Sequence, residues 1–120
     1  MLELIPAGIC GIMPSLGIAD VLVKVFRLAE ENRPNEAYEI FQGVLPLITF
    51  SLQNLELLHP VEKSVLAARG IIGNPVVREA NLELGRFDKQ HMDFLIGRIL
   101  ELLDRLGLPR NPNAPRSPAA

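Results

Sequence analysis

The strongest candidates for nucleophilic chemistry in this chain are two lysines, Lys24 and Lys63. A lysine amine forms an imine with a carbonyl compound once it is desolvated, so each lysine could in principle support Schiff-base chemistry. Lys24 falls on the polar side of a predicted helix. Lys63 falls in another predicted helix, where a surface ion pair is the simpler use of its charge. Neither lysine is therefore predicted to be a catalytic residue.

The other reactive side chains stand alone. His59 and His91 are far apart in the sequence, whereas a metal site needs several converging ligands. Cys10, the only cysteine, lies in an apolar run and is expected to be a small buried side chain rather than a nucleophile. Tyr38, the only tyrosine, falls within a predicted helix. These residues predict no catalytic group, no metal site and no cofactor.

One glycine-punctuated stretch, residues 8–17, differs from the rest of the chain. Its apolar part, residues 9–13, is typical of a strand buried on both faces, and Pro14 should end that strand. The stretch lacks the glycine and lysine spacings of a phosphate-binding loop. Because the chain offers no neighbouring strand, we expect residues 9–13 to be extended but unpaired, or to collapse onto the first helix.

The apolar periodicity of the remaining chain predicts a mainly α protein. Pro46 lies inside the second predicted helix and should kink or break it. Asp88 is the predicted N-cap of the last helix, and Gly107 is its predicted C-cap. Residues 54–59 are expected to be irregular and residues 71–85 to form an ordered loop. The predicted helices span residues 18–32, 34–52, 60–69 and 86–106.

Composition bounds the class of protein. The chain has 120 residues, of which 48% are hydrophobic, and its net charge of −2 gives no electrostatic footprint for nucleic acid. A lone cysteine excludes an internal disulfide framework and favours a reducing compartment, so the cytoplasm is the expected location. No apolar run has the length of a membrane span. The mean hydropathy of +0.23 is high for a small domain and indicates a surface that something else covers.

Several short motifs follow one another along the chain. They are a Gly-x-x-Gly strand (Gly8, Gly11), a helix ending in Leu28 and Ala29, a helix with Leu45, Pro46 and Leu47, a segment with Glu62, Lys63, Leu66 and Gly70, and then Val77 and Arg78. In this order the motifs resemble the dihydrodipicolinate synthase / N-acetylneuraminate lyase family, over nearly the whole chain except its tail.

This resemblance implies the C-terminal piece of a (β/α)8 barrel, with its last strand and helix, followed by a C-terminal three-helix extension. The implied parts are residues 1–33 for the barrel piece, 34–108 for the extension and 109–120 for a disordered tail. Family members act on pyruvate or related 2-keto acids through a lysine Schiff base, and that lysine would lie before Met1. By the same resemblance, Gly11 and Met13 would border the substrate pocket through their main-chain atoms.

Two functions remain open at this point. In the first, the chain is part of a lyase or aldolase of this family and is inactive alone. In the second, it is a free-standing helical interaction or oligomerisation module. The expected partner is either the remainder of the barrel or a second copy bound through exposed apolar faces, with no nucleic acid and no membrane.

Overall fold

The computed structural model describes residues 1–79 and 82–115, and within them the protein is mainly α-helical. A short 3₁₀ turn, Leu16–Ile18, leads into helix α1 (Ala19–Glu30). Three further helices follow, α2 (Pro34–Ser51), α3 (Leu55–Ala68) and α4 (Arg86–Leu106). No strand occurs among the described residues, so the predicted fold class is confirmed at the level of mainly α.

Helices α1 and α2 form a hairpin around a tight turn. Asn32 in that turn has a left-handed backbone, with φ of 58°, which asparagine tolerates better than most residues. Pro34 occupies the first turn of α2, where its fixed φ suits a helix start. Helix α2 then continues through Pro46 to Ser51, so the break that this proline predicts does not occur.

Helix α3 begins five residues earlier than predicted, and the expected irregular segment at residues 54–59 is wrong. The Asn54 side chain caps the helix, because its Oδ1 accepts a hydrogen bond from the Leu57 N–H at 3.0 Å. Pro60 therefore lies inside α3 rather than at its start. Pro60 removes the N–H that would donate to the Glu56 carbonyl, and the helix continues through it to Ala68.

The Asn54 cap gives a first testable prediction. Asn54→Ala should lower the free energy of unfolding by about 1 kcal/mol, because the Leu57 N–H loses its acceptor. Urea denaturation followed by circular dichroism measures the change. Gln53→Ala, one residue before the cap, should leave stability nearly unchanged, and equal losses in the two variants would contradict the capping role.

Helix α4 is capped at both ends. Gly85 is the N-cap, and Asp88 lies within the first turn, where its Oδ2 accepts a hydrogen bond from the Gly85 N–H at 3.2 Å. The prediction of Asp88 as the N-cap is therefore wrong, although its carboxylate does stabilise this helix start. Gly107 is the C-cap, as predicted, with a left-handed φ of 67° that favours glycine.

The core forms where all four helices meet. Helix α4 approaches α2 closely at Gly43, where an added Cβ would lie 2.8 Å from Leu102 Cδ2. The side chains that are buried almost completely come from each helix, and they are Val21, Val25, Val44, Val61, Val65, Ile99 and Leu103.

The apolar run at residues 9–13 forms no sheet ladder, which agrees with the expectation that it stays unpaired. Residues 9–15 have no regular secondary structure, because the described chain offers no second strand to pair with. Cys10 is exposed, so its predicted burial is wrong. The division into residues 1–33, 34–108 and 109–120 stays a prediction, and residues 80–81 and 116–120 lie outside the described residues.

Candidate functional site

The two lysines do not lie in apolar pockets. Lys63 Nζ donates a hydrogen bond to the Val76 carbonyl oxygen at 2.6 Å, which ties α3 to the following loop. Lys24 lines a surface hollow together with Asp20, Arg27 and Glu31. A Schiff-base lysine is typically desolvated in an apolar pocket, and neither of these lysines lies in such a pocket. Neither lysine is therefore set up as a nucleophile.

The other reactive residues are dispersed. His91 on α4 contacts Phe50 edge-on, with ring centres 5.2 Å apart, and stacks on Phe94 at 6.5 Å. His59 lies in a separate surface hollow near Glu56 and Glu79. Within residues 1–79 and 82–115, no group of three or more His, Cys, Asp or Glu side chains could hold a metal ion.

An apolar groove lies where the irregular N-terminal segment crosses α1, α2 and α3, and its volume is about 400 Å³. Met13 is fully exposed and lines this groove, and Gly11 is exposed two residues earlier. The lining carries no charged side chain and consists of Met1, Ile12, Met13, Pro14, Ser15, Ile18, Leu22, Phe41, Ile48, Ser51, Leu52 and Leu58. Such a groove suits an apolar surface, and its side chains offer no cation to bind a carboxylate.

A second surface lies on α2 and α4 and is rich in aromatic residues. We call Leu45, Phe87, His91 and Phe94 the aromatic face. Phe87 is 78% exposed, Phe94 63% and Leu45 41%. Leu45, Phe87 and His91 line an open hollow together with Pro46. Large apolar side chains exposed together are typical of a surface that contacts another protein.

The most elaborate polar arrangement is centred on Arg69, whose side chain is only 1% exposed. Its Nη1 and Nη2 donate to the two carboxylate oxygens of Asp20 at 3.0 and 2.6 Å. Nη1 also donates to the Gly17 carbonyl oxygen, Nη2 to that of Pro109, and Nε to that of Arg110 at 2.6 Å. All five N–H groups of the guanidinium are thus used, so Arg69 has no donor left for a ligand.

No sequence motif points to the Arg69 cluster, which we define as Arg69, Asp20, Gly17, Glu62, Pro109 and Arg110. The hydrogen-bond partners of Arg69 lie 40 to 52 positions away in the sequence, so no local pattern reveals them. The one local hint is Asp20 in the first turn of α1, where a carboxylate is favoured anyway.

Comparisons with protein-family models, with curated proteins and with solved structures find no match for this chain. Among the described residues, no helix is both long enough and apolar enough to cross a membrane. Three structural features remain from which a function can be argued. They are the apolar groove, the aromatic face and the buried Arg69 guanidinium, whose donors are all used.

Proposed function

We propose that this chain is the C-terminal part of a lyase or aldolase similar to the dihydrodipicolinate synthase / N-acetylneuraminate lyase family. Helix α1 would be the last barrel helix, and α2 to α4 would be the helical extension. In the complete enzyme this part would cover one side of the barrel, and by itself it would be catalytically inert. The ordered run of sequence motifs is the origin of this proposal.

The observation that carries the proposal is that the apolar N-terminal segment forms no regular secondary structure. Residues 9–15 are rich in apolar side chains, yet they have no regular secondary structure, and residues 12–15 border a groove that is lined by no charged side chain. A barrel strand taken without its neighbours would leave its backbone unpaired and its packing surface open. The groove is thus where the preceding barrel strands would lie.

The proposed inertness of the isolated chain predicts the result of a trapping experiment. Incubation with pyruvate and borohydride should give no covalent adduct by intact-protein mass spectrometry, because Lys24 and Lys63 lie in charged or hydrogen-bonded surroundings. Borohydride without pyruvate is the control for non-specific reduction. A stoichiometric adduct would contradict the proposal, and Lys24→Arg and Lys63→Arg variants would then locate it.

The family assignment has its own test. The coding DNA upstream of Met1 should continue in frame and encode seven further strand-and-helix units with a lysine on a middle strand. An upstream region that encodes none of these would overturn the assignment, whatever the trapping experiment shows.

The aromatic face favours a second candidate function, a helical interaction or oligomerisation module. Phe87 and Phe94 contribute exposed aromatic rings, which are enriched at protein–protein contacts. A monodisperse oligomer with cooperative thermal unfolding would favour this second function. Aggregation, or an expanded state without a sharp transition, would favour the enzyme-fragment function.

A further inference from the structure

The C-terminal segment, residues 109–111, is tied to the rest of the chain by the side chains of Arg110 and Asn111. The Arg110 guanidinium pairs with Asp104 at 2.6 and 3.1 Å, and its hydrogen bonds hold the pKa of that carboxyl below its usual value. Asn111 Nδ2 donates to the Gly70 carbonyl oxygen at 2.8 Å. Beside these two anchors, the carbonyl oxygens of Pro109 and Arg110 accept hydrogen bonds from Arg69.

The turn at Gly17 is held from the same side of the molecule. Its carbonyl oxygen accepts from Arg69 Nη1 at 2.5 Å, and its N–H donates to Glu62 Oε1 at 2.5 Å. The space is tight, since an added Cβ at Gly17 would lie 2.8 Å from Val65 Cγ1. The N–H and the carbonyl of Gly17 are therefore both held by charged side chains, those of Glu62 in α3 and of Arg69 at the end of α3.

One planar group joins these two sites. The guanidinium of Arg69 is rigid and uses all of its donors, so its contact with the C-terminal segment fixes the plane in which it meets Gly17 and Asp20. If the segment leaves, two buried N–H groups lose their acceptors, and the guanidinium must reorient toward water.

We propose that the C-terminal segment is a latch: docked on Arg69, it holds the Gly17 turn, and its release loosens that turn and the groove-lining residues before it. Met13 and Ile12 lie directly upstream of the turn and line the apolar groove. The C-terminal segment thereby controls how mobile Ile12 and Met13 are at the edge of the groove. This inference is independent of the proposed function, because its argument uses only contacts within this chain and no family assignment.

The test uses the full-length chain with both side-chain anchors of the segment removed, Arg110→Ala together with Asn111→Ala. Neither side chain hydrogen-bonds Gly17 or Glu62, so the substitutions leave the direct contacts of Gly17 in place. Amide hydrogen exchange measured by NMR should show the Gly17 N–H exchanging about fivefold faster than in the parent chain. Core amides such as that of Ile99 should keep their exchange rates.

Arg98→Ala is the matched control, because it removes an exposed ion pair of the same kind, with Glu101 at 2.7 Å, away from the segment. An unchanged Gly17 amide in the double variant overturns the proposal, whether or not the amides of the segment itself speed up. Equal acceleration at Gly17 and Ile99 also overturns it, since that pattern means global destabilisation. Arg69→Lys in the full chain should accelerate Gly17 at least as much as the double variant, and a smaller effect contradicts the latch.

Discussion

Replacing Arg69 by methionine should lower the free energy of unfolding by about 3 kcal/mol, the largest effect that we expect from a polar substitution in this protein. Methionine fills a similar volume but donates no hydrogen bond. The carboxylate of Asp20 and the carbonyls of Gly17, Pro109 and Arg110 then lose their donor together. Urea denaturation monitored by circular dichroism measures the loss.

The magnitude depends on how much water can reach the abandoned groups. Breaking a fully buried ion pair costs about 3–5 kcal/mol, but the Asp20 side chain is 28% exposed and regains part of its hydration. We therefore expect the lower end of that range. Arg98→Met is the control, because both partners of that ion pair are exposed, and it should change stability by less than about 0.5 kcal/mol. Similar losses in the two variants would show that the Arg69 cluster contributes little.

The second large effect is expected in the core, at Leu103. This side chain of α4 is completely buried in the main hydrophobic cluster. Leu103→Ala removes its packing contacts and leaves a cavity, so the free energy of unfolding should fall by about 3–4 kcal/mol. The midpoint of urea denaturation, compared at equal slope, gives the value.

Leu55 supplies the matched control for Leu103. It is 76% exposed at the start of α3, so Leu55→Ala removes the same atoms from a side chain that packs little. Its expected cost is below about 0.5 kcal/mol. A small loss at Leu103 would mean that α4 does not pack on the other helices as described, and it would place the whole four-helix arrangement in question.

The helices themselves were the part of the fold that the sequence could predict. The apolar stripes of α1 and α4 recur at helical spacing, and each stripe lies on the buried face. Pro34 and Gly107 mark a helix start and a helix end through their own backbone preferences. These signals are local, so they do not depend on how the helices pack.

The predicted start of α3 is wrong because two local signals compete. Pro60 favours a helix start, but Asn54 precedes the first helical residues and is a strong N-cap type. The composition of residues 9–13 is typical of a strand, and the expectation that the run stays unpaired agrees with the structure. A strand needs a partner for its backbone groups, and nothing in the run itself says whether one exists.

The Arg69 cluster could not be predicted because it is a tertiary feature. Arg69 brings together Gly17 and Asp20 from one end of the chain and Pro109 and Arg110 from the other. A buried arginine and a surface arginine look the same in a sequence without its partners. Of the two predicted pocket-border residues, Met13 lies on the groove, and its role toward any substrate stays a prediction.

The shared guanidinium also fixes where the chain enters and leaves the helical bundle. Gly17, just before α1, and Pro109, just after α4, both bond to Arg69, so entry and exit lie side by side. A unit with adjacent entry and exit points can be inserted into one loop of a host protein without long linkers, because the two ends of that loop need not move apart. Its helices could therefore be transplanted as a block or circularly permuted, with the junction placed beside Arg69.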